Sequence, residues 1–356
     1  MLLIDGHLDL AMNALLWNRD LRKSVAETRE DEAGMPQKGR AAGTTAYPEM
    51  RAGEIAISLA TVIARVQQPG SDVTGYRTHE IAYGQAQGQL AYYRELERQG
   101  VLRMLRDWPA VEAHLAQWKS DPQDTPLGFV LCMEGADPIV EPCQVDSWWN
   151  DGLRIVSLAH YGPSAYAKGT GVTGPLTPEG RTLLVEMERA GMILDATHLS
   201  DESFYEAVDL FGGTILASHS NCRALVDGDR QLTDDMLKLL FARDAVVGAV
   251  MDAWMLEPGW IKSETTNERV SLDTVVDHID HVCQLAGNAR HAAIGTDLDG
   301  GYGTEQCPND VDTITDVQTI ADLLARRGYA STDIEAIMHG NWLRLLRRAW
   351  SGTSSS

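Results

Sequence analysis

Eight short apolar runs, amphipathic segments between most of them, and ionisable residues where the runs stop predict an α/β protein of the (β/α)8 TIM-barrel class. The runs are 2–8 (LLIDGHL), 54–63 (EIAISLATVI), 127–133 (LGFVLCM), 153–159 (LRIVSLA), 192–196 (MILDA), 214–217 (TILA), 245–251 (AVVGAVM) and 291–296 (HAAIGT). Continuous apolar runs are what strands buried on both faces of a parallel sheet require. Helical periodicity occupies 77–99, 178–190, 201–210, 233–243, 271–286 and 315–327. Thr177-Pro178, Ser200-Asp201 and Thr233-Asp234 read as N-terminal caps. The same alternation also permits a doubly wound open sheet. Two stretches, 24–53 and 161–176, lack periodicity and read as loops long enough to cover a site. Neither reads as a linker, so residues 1–350 are expected to form one domain and 351–356 a disordered tail.

Composition narrows the function. The chain has 356 residues, 30 basic and 51 acidic, for a net charge of −21. Nucleic acids and anionic membranes are recognised by basic faces, so neither is expected as a partner. No run approaches the length of a membrane-spanning helix. The opening segment MLLIDGHLDL lacks a basic leader, and the five cysteines, 132, 143, 222, 283 and 307, form no CxxC pair. The expectation is reduced thiols in a cytoplasmic protein.

In a barrel of this class the carboxyl ends of all strands share one rim, which carries the chemistry. Here the first run ends in Asp5-Gly6-His7-Leu8-Asp9, the third in Glu134 and the fourth in His160. The fifth is followed by His198, the sixth ends in His219 and the eighth in Asp297. His7 and Asp9 are two apart, so on an extended strand both face the same way. Each of these residues alone reads as readily as a cap or a core residue. Together they place imidazoles and carboxylates, the nitrogen and oxygen ligands of zinc, around one point. Burying that many ionisable groups is costly unless they are paired or metal-bound. By contrast, His79, His114, His278, His281 and His339 fall in helical segments and His291 starts a strand, so these read as structural. Asp299 lies just past its strand and reads as a turn residue.

The segments DGHLD, CMEGAD, SLAH, LDATHLS, ASHSN with DGDRQLTDD, IGTDLDGG and HGNWLRLL, spread from residue 5 to residue 346, resemble those of the membrane (renal) dipeptidases. That resemblance implies a barrel of the metal-dependent hydrolase type holding two zinc ions per chain. His7 and Asp9 would bind one ion, His198 and His219 the other, and Glu134 would bridge them. His160 matches the family's substrate-polarising histidine, Arg230 the arginine that holds the substrate's C-terminal carboxylate, and Asp297 the acid/base carboxylate. The implied activity is hydrolysis of dipeptides by a metal-bridging hydroxide. The alternative is a related zinc amidohydrolase acting on N-acyl amino acids or β-lactams. A catalytically silent metal-binding barrel is the rival from another class. Asp297 argues against it, because a structural site needs no spare acid/base group. Arg230 follows Asp227 and Asp229 in a polar loop, where a solvated arginine is the plain reading of the local sequence. The seventh run, 245–251, leads to DAWMLEPGW, with Trp254 where the family often supplies a tyrosine. A small-molecule dipeptide is the implied partner, and a homodimer the implied assembly.

Overall fold

The computed structural model describes residues 1–68, 74–261 and 264–351. Nine parallel strands appear in it: β1 (Leu3–Leu8), β2 (Ile55–Ile63), β3 (Leu102–Met104), β4 (Leu127–Glu134), β5 (Leu153–Ser157), β6 (Ile193–Asp195), β7 (Ile215–Leu216), β8 (Val247–Ala249) and β9 (Ala292–Ile294). All eight apolar runs became strands. The sheet runs β1-β2-β4-β5-β6-β7, and β8 pairs with β9. A parallel bridge between Ala217 and Val247 joins the two. The result is a parallel sheet curled towards a barrel with helices outside it. The open-sheet alternative is set aside by the way the last strand returns to the first. Asp5, buried in β1, accepts from the Thr296 N–H at 2.9 Å and from Thr296 Oγ1 at 2.7 Å, just past β9.

β3 was not visible as an apolar run, because it has three residues with Arg103 in the middle. It pairs with Leu127–Phe129 of β4, while β5 takes Leu131–Met133 further along. β2 occupies the other edge of β4 from Gly128 to Glu134. Thus β3 fills the edge that β5 does not reach. The long helix His79–Arg98 and the helices Pro178–Ala190, Asp201–Leu210, Asp234–Ala242 and Leu272–Ala286 lie where the periodicity placed them. The caps Thr177, Ser200 and Thr233 each accept a backbone N–H from the first turn. In 315–327 the chain begins as a 3-10 turn and continues as the helix Thr319–Arg326.

The stretch 24–53 is more ordered than its composition implied. It contains the helices Val25–Asp31 and Tyr47–Ala52. Buried Arg19 holds it together, bonding Glu32 at 2.8 Å and pairing with Asp299 at 3.2 Å. Asp299 also accepts the Thr44 and Thr45 N–H groups, so this residue anchors the first loop to the last strand's end. The expected tail, 351–356, lies outside the described residues except for Ser351, which ends the last helix.

His278 shows how burial shapes pH stability away from the site. It is buried on its helix, and its Nδ1 accepts the Cys222 N–H at 3.0 Å. Burial holds its pKa down at about 3, from an ordinary 6.5. The unfolded chain therefore binds a proton here that the folded chain refuses. The stabilisation is complete above about 6.5 and is lost as pH falls towards 3. Urea titrations should show wild-type stability falling more steeply over that range than in His278→Gln. Equal slopes would remove His278 from the account.

Candidate active site

Most strand ends on one rim deliver a side chain to a common centre. Glu134, the last residue of β4, occupies that centre. Its Oε1 lies 3.6 Å from His7 Nε2, 3.6 Å from His160 Nε2, 3.2 Å from His198 Nε2 and 3.4 Å from His219 Nε2. His7 Nε2 is in turn 3.8 Å from Asp9 Oδ1 and 3.7 Å from Asp297 Oδ1. Six residues expected from strand ends are thus gathered around a seventh, Glu134. Asp299 is not among them.

The strand ends use a repeated local device. Asp5 Oδ1 accepts the His7 N–H at 3.0 Å while its carboxylate also holds Thr296 of the neighbouring strand end. Asp195 does the same on β6: Oδ1 accepts the Thr197 and Ser218 N–H groups, each at 3.0 Å. Both aspartates bind the backbone beside a site histidine to the next strand. Loop 161–176 folds back over His160, whose carbonyl accepts the Thr170 N–H at 3.1 Å. Gly169 permits this approach, since a Cβ there would stand 1.9 Å from the same carbonyl oxygen. Gly300 has a similar duty, because its Cβ would meet Asp297 Oδ1 at 1.9 Å. His198 and Asp297 both hold left-handed backbones, with φ of 67° and 56°. For residues other than glycine such conformations persist only where the surroundings impose them.

The donor set fits divalent metal. His7 Nε2 is buried and, among the described residues, has no hydrogen-bond partner. His198 Nε2 and His219 Nε2 face each other at 3.3 Å. Their other ring nitrogens meet oxygen: His198 Nδ1 lies 3.0 Å from Thr170 Oγ1, and His219 Nδ1 lies 2.8 Å from Ser218 Oγ. The Ser218 hydroxyl donates its proton to Asp195 Oδ2 at 2.5 Å, so it accepts from His219 Nδ1–H. Thr170 Oγ1 also lies 3.5 Å from the His198 carbonyl, to which it can donate, so it too can accept from Nδ1–H and both imidazoles can present bare Nε2 lone pairs to one point, the usual arrangement of a metal-binding histidine. Three groups have geometry to hold an ion: His7 with Glu134 and His219, Glu134 with His160 and His198, and His7 with Asp9 and Asp297. Burial without a cation pushes the Glu134 and Asp297 carboxyls well up and the His160, His198 and His219 imidazoles well down. A divalent ion restores the carboxylate charge that burial disfavours.

Arg230 is not a solvated loop residue. It is buried, with Nη2 donating to the His219 carbonyl at 2.8 Å and Nη1 to Ser220 Oγ at 3.3 Å. Its neighbour Asp229 is instead occupied by the Gly171 N–H at 2.7 Å. Among the described residues Arg230 makes no ion pair within 4.0 Å. It lines a cavity of about 620 Å³ together with Glu134, His160, Tyr161, Trp254 and Asp297.

Among the lining residues that escaped the sequence reading are Arg65 and Asp252. Arg65 follows β2, and its Nη1 lies 2.5 Å from His160 Nδ1. Asp252 follows β8 and accepts from Trp254 Nε1 at 2.7 Å and from Gln306 Nε2 at 2.6 Å. Burial raises the Asp252 carboxyl to about 6. The same strand-end rule that found Glu134 would have found both, had it been extended one or two residues past runs 54–63 and 245–251.

A family model described as membrane dipeptidase, peptidase family M19, matches residues 1–354. The chain belongs to the membrane dipeptidase family. Among curated relatives, an uncharacterised dipeptidase of Schizosaccharomyces pombe is 28% identical over 237 residues, 65% of this chain and 56% of that protein. A Claviceps purpurea dipeptidase is 30% identical over 203 residues, covering 55% of this chain and 44% of its own length. The match thus spans about half the length of these relatives. Solved structures match more completely. A dipeptidase described as an M19 metallopeptidase superposes with a TM-score of 0.78 at 23% identity, over 98% of this chain and 99% of that one. A Rhodobacter sphaeroides metallopeptidase, solved with a phosphinate mimic of the dipeptide L-Ala-D-Ala, gives 0.77 at 23% identity over the same shares. At that identity these structures establish the fold, a TIM-barrel-like architecture. Among the described residues no helix is long and apolar enough to cross a membrane.

Proposed function

We propose that the protein is a dinuclear zinc dipeptidase acting on dipeptides with a free C-terminal carboxylate. One observation carries this reading: a buried guanidinium, Arg230, without a carboxylate partner among the described residues, beside a cluster of imidazoles and carboxylates. A buried charge calls for a counter-ion. A substrate carboxylate supplies it, and a guanidinium can grip one through parallel hydrogen bonds.

In this reading His7 and Asp9 hold one zinc, His198 and His219 the other, and Glu134 serves both. The metal supplies water acidified to near neutrality and an electrophile for the scissile carbonyl. The chain's own groups do the rest. Asp297, facing His7 across 3.7 Å, takes a proton from the nucleophile and returns it to the leaving amine. His160 donates a hydrogen bond to the carbonyl oxygen as negative charge gathers there. Arg230 measures substrate length, because a dipeptide's carboxylate sits one residue beyond the scissile bond. The cavity volume lies in the range of small-molecule sites rather than of protein grooves. All five cysteines are free, in keeping with a cytoplasmic location, and the proposed assembly is a homodimer.

The test is a substrate comparison on zinc-loaded protein. L-Ala-D-Ala, the dipeptide mimicked in the Rhodobacter relative, is the first candidate. Dipeptides should be cleaved, and dipeptide amides and tripeptides rejected. Preferential hydrolysis of N-acyl amino acids or β-lactams would replace the dipeptidase reading with the amidohydrolase one. Arg230→Met should lower kcat/KM on dipeptides by roughly 10- to 150-fold, the worth of charged hydrogen bonds. The loss should be much smaller on an amide, with metal content unchanged. Equal losses on acid and amide would show that Arg230 does not read the C-terminus.

A further inference from the structure

We infer that Arg65 is a positioning residue: it fixes His160 as the neutral tautomer with its proton on Nε2, facing the substrate. The inference rests on the dipeptidase reading only for its kinetic consequence.

A guanidinium has hydrogen-bond donors and no acceptor. Arg65 Nη1 lies 2.5 Å from His160 Nδ1. Nδ1 must therefore accept, and it carries no proton. In a neutral imidazole the proton is then on Nε2. An imidazolium would set two donors against each other at that distance. His160 Nε2 is the nitrogen directed to the centre, 3.6 Å from Glu134 Oε1. A donor is what a developing oxyanion needs there.

The same inventory separates His160 from the other histidines. His198 and His219 have hydroxyl oxygens at Nδ1, which can accept Nδ1–H and so allow bare Nε2 lone pairs for metal. His160 has a cation at Nδ1, which leaves Nε2 with a hydrogen and no lone pair. Thus His160 lies within ligating distance of Glu134 and His198, yet its tautomer keeps it out of the coordination shell. One side chain, Arg65, decides between ligand and donor.

Arg65 is itself held. Its carbonyl accepts the Tyr76 N–H at 2.7 Å. The next residue, Val66, donates its N–H to Asp137 Oδ2 at 2.7 Å. Asp137 Oδ1 takes the Ala165 N–H at 3.1 Å, on the loop that follows His160. The buried Asp137 carboxylate therefore fastens the segment carrying Arg65 to the segment carrying His160. This is how a supporting shell fixes a reacting group's geometry.

The experiment is long-range proton–nitrogen NMR on zinc-loaded protein labelled with 15N-histidine, with the His160 signals assigned from His160→Ala. Wild type should show His160 with a bare Nδ1 and a protonated Nε2. Arg65→Met should lose that pattern, and Arg65→Lys, another pure donor, should retain it. Kinetically, Arg65→Met should lower kcat by about 10²-fold, as for loss of one oxyanion donor, with KM and zinc content little changed. Arg65→Lys should recover most of that loss. The double variant Arg65→Met/His160→Ala should be no slower than His160→Ala alone, because Arg65 acts through His160. A wild-type His160 protonated on Nδ1, or losses that multiply in the double variant, would overturn the inference. A protein that shows the expected tautomer but hydrolyses no dipeptide would overturn the functional reading instead.

Discussion

Asp297→Asn is expected to keep its zinc and to lower kcat by about 10²–10⁴-fold, the range for a lost general acid/base. Asparagine preserves the shape and one oxygen of the side chain but can neither accept nor return a proton. The surroundings make this the largest kinetic effect expected in the site. Asp297 is held in a left-handed backbone, and Gly300 leaves room for its carboxylate. Burial and the neighbouring Asp9 and Glu134 carboxylates all favour its protonated form. Elemental analysis beside steady-state kinetics checks the assignment. If the variant loses metal together with activity, Asp297 is a ligand, as its distance to His7 also permits.

Glu134→Gln is expected to weaken both metal positions at once. A single oxygen of Glu134 faces imidazoles from β1, the end of β5 and the ends of β6 and β7. Removing its charge leaves His7 and Asp9 on one side, and His198 and His219 on the other, without a shared anion. Losing an outer-shell partner typically costs roughly 10–100-fold in metal affinity, and losing a shared ligand should cost more at each position. Competition titration against a zinc chelator reads both constants. Retention of one zinc at wild-type affinity would show that Glu134 does not bridge.

The strands were legible because parallel strands buried on both faces need unbroken apolar runs, and the chain supplies one for each long strand. β3 was hidden because Arg103 interrupts its apolar run. The helix Trp108–Ser120 is absent from the periodic segments, although His114 reads as helical, because apolar and polar residues mix around it. The helices within 24–53 are short and owe their order to Arg19, Glu32 and Asp299, contacts between residues far apart in sequence. Among the site residues, those at the tips of apolar runs stood out, since the fold class alone sends them to one rim. Arg65 and Asp252 lay one or two residues further on and so passed unnoticed. Arg230 shows the limit most clearly. Its local sequence, DGDRQ, describes a solvated arginine, and only the fold turns Asp229 towards Gly171 and leaves the guanidinium buried in the cavity wall.

The account's central claim is that metal held by this cluster drives hydrolysis of substrates gripped by their C-terminal carboxylate. Titrating zinc into metal-stripped protein, with L-Ala-D-Ala and its amide assayed in parallel, tests it most directly. The account predicts no hydrolysis without metal, activity on the free dipeptide rising to a plateau at two zinc ions per chain, and negligible activity on the amide throughout. Hydrolysis by the metal-free protein, or no hydrolysis of any dipeptide at saturating zinc, would contradict it.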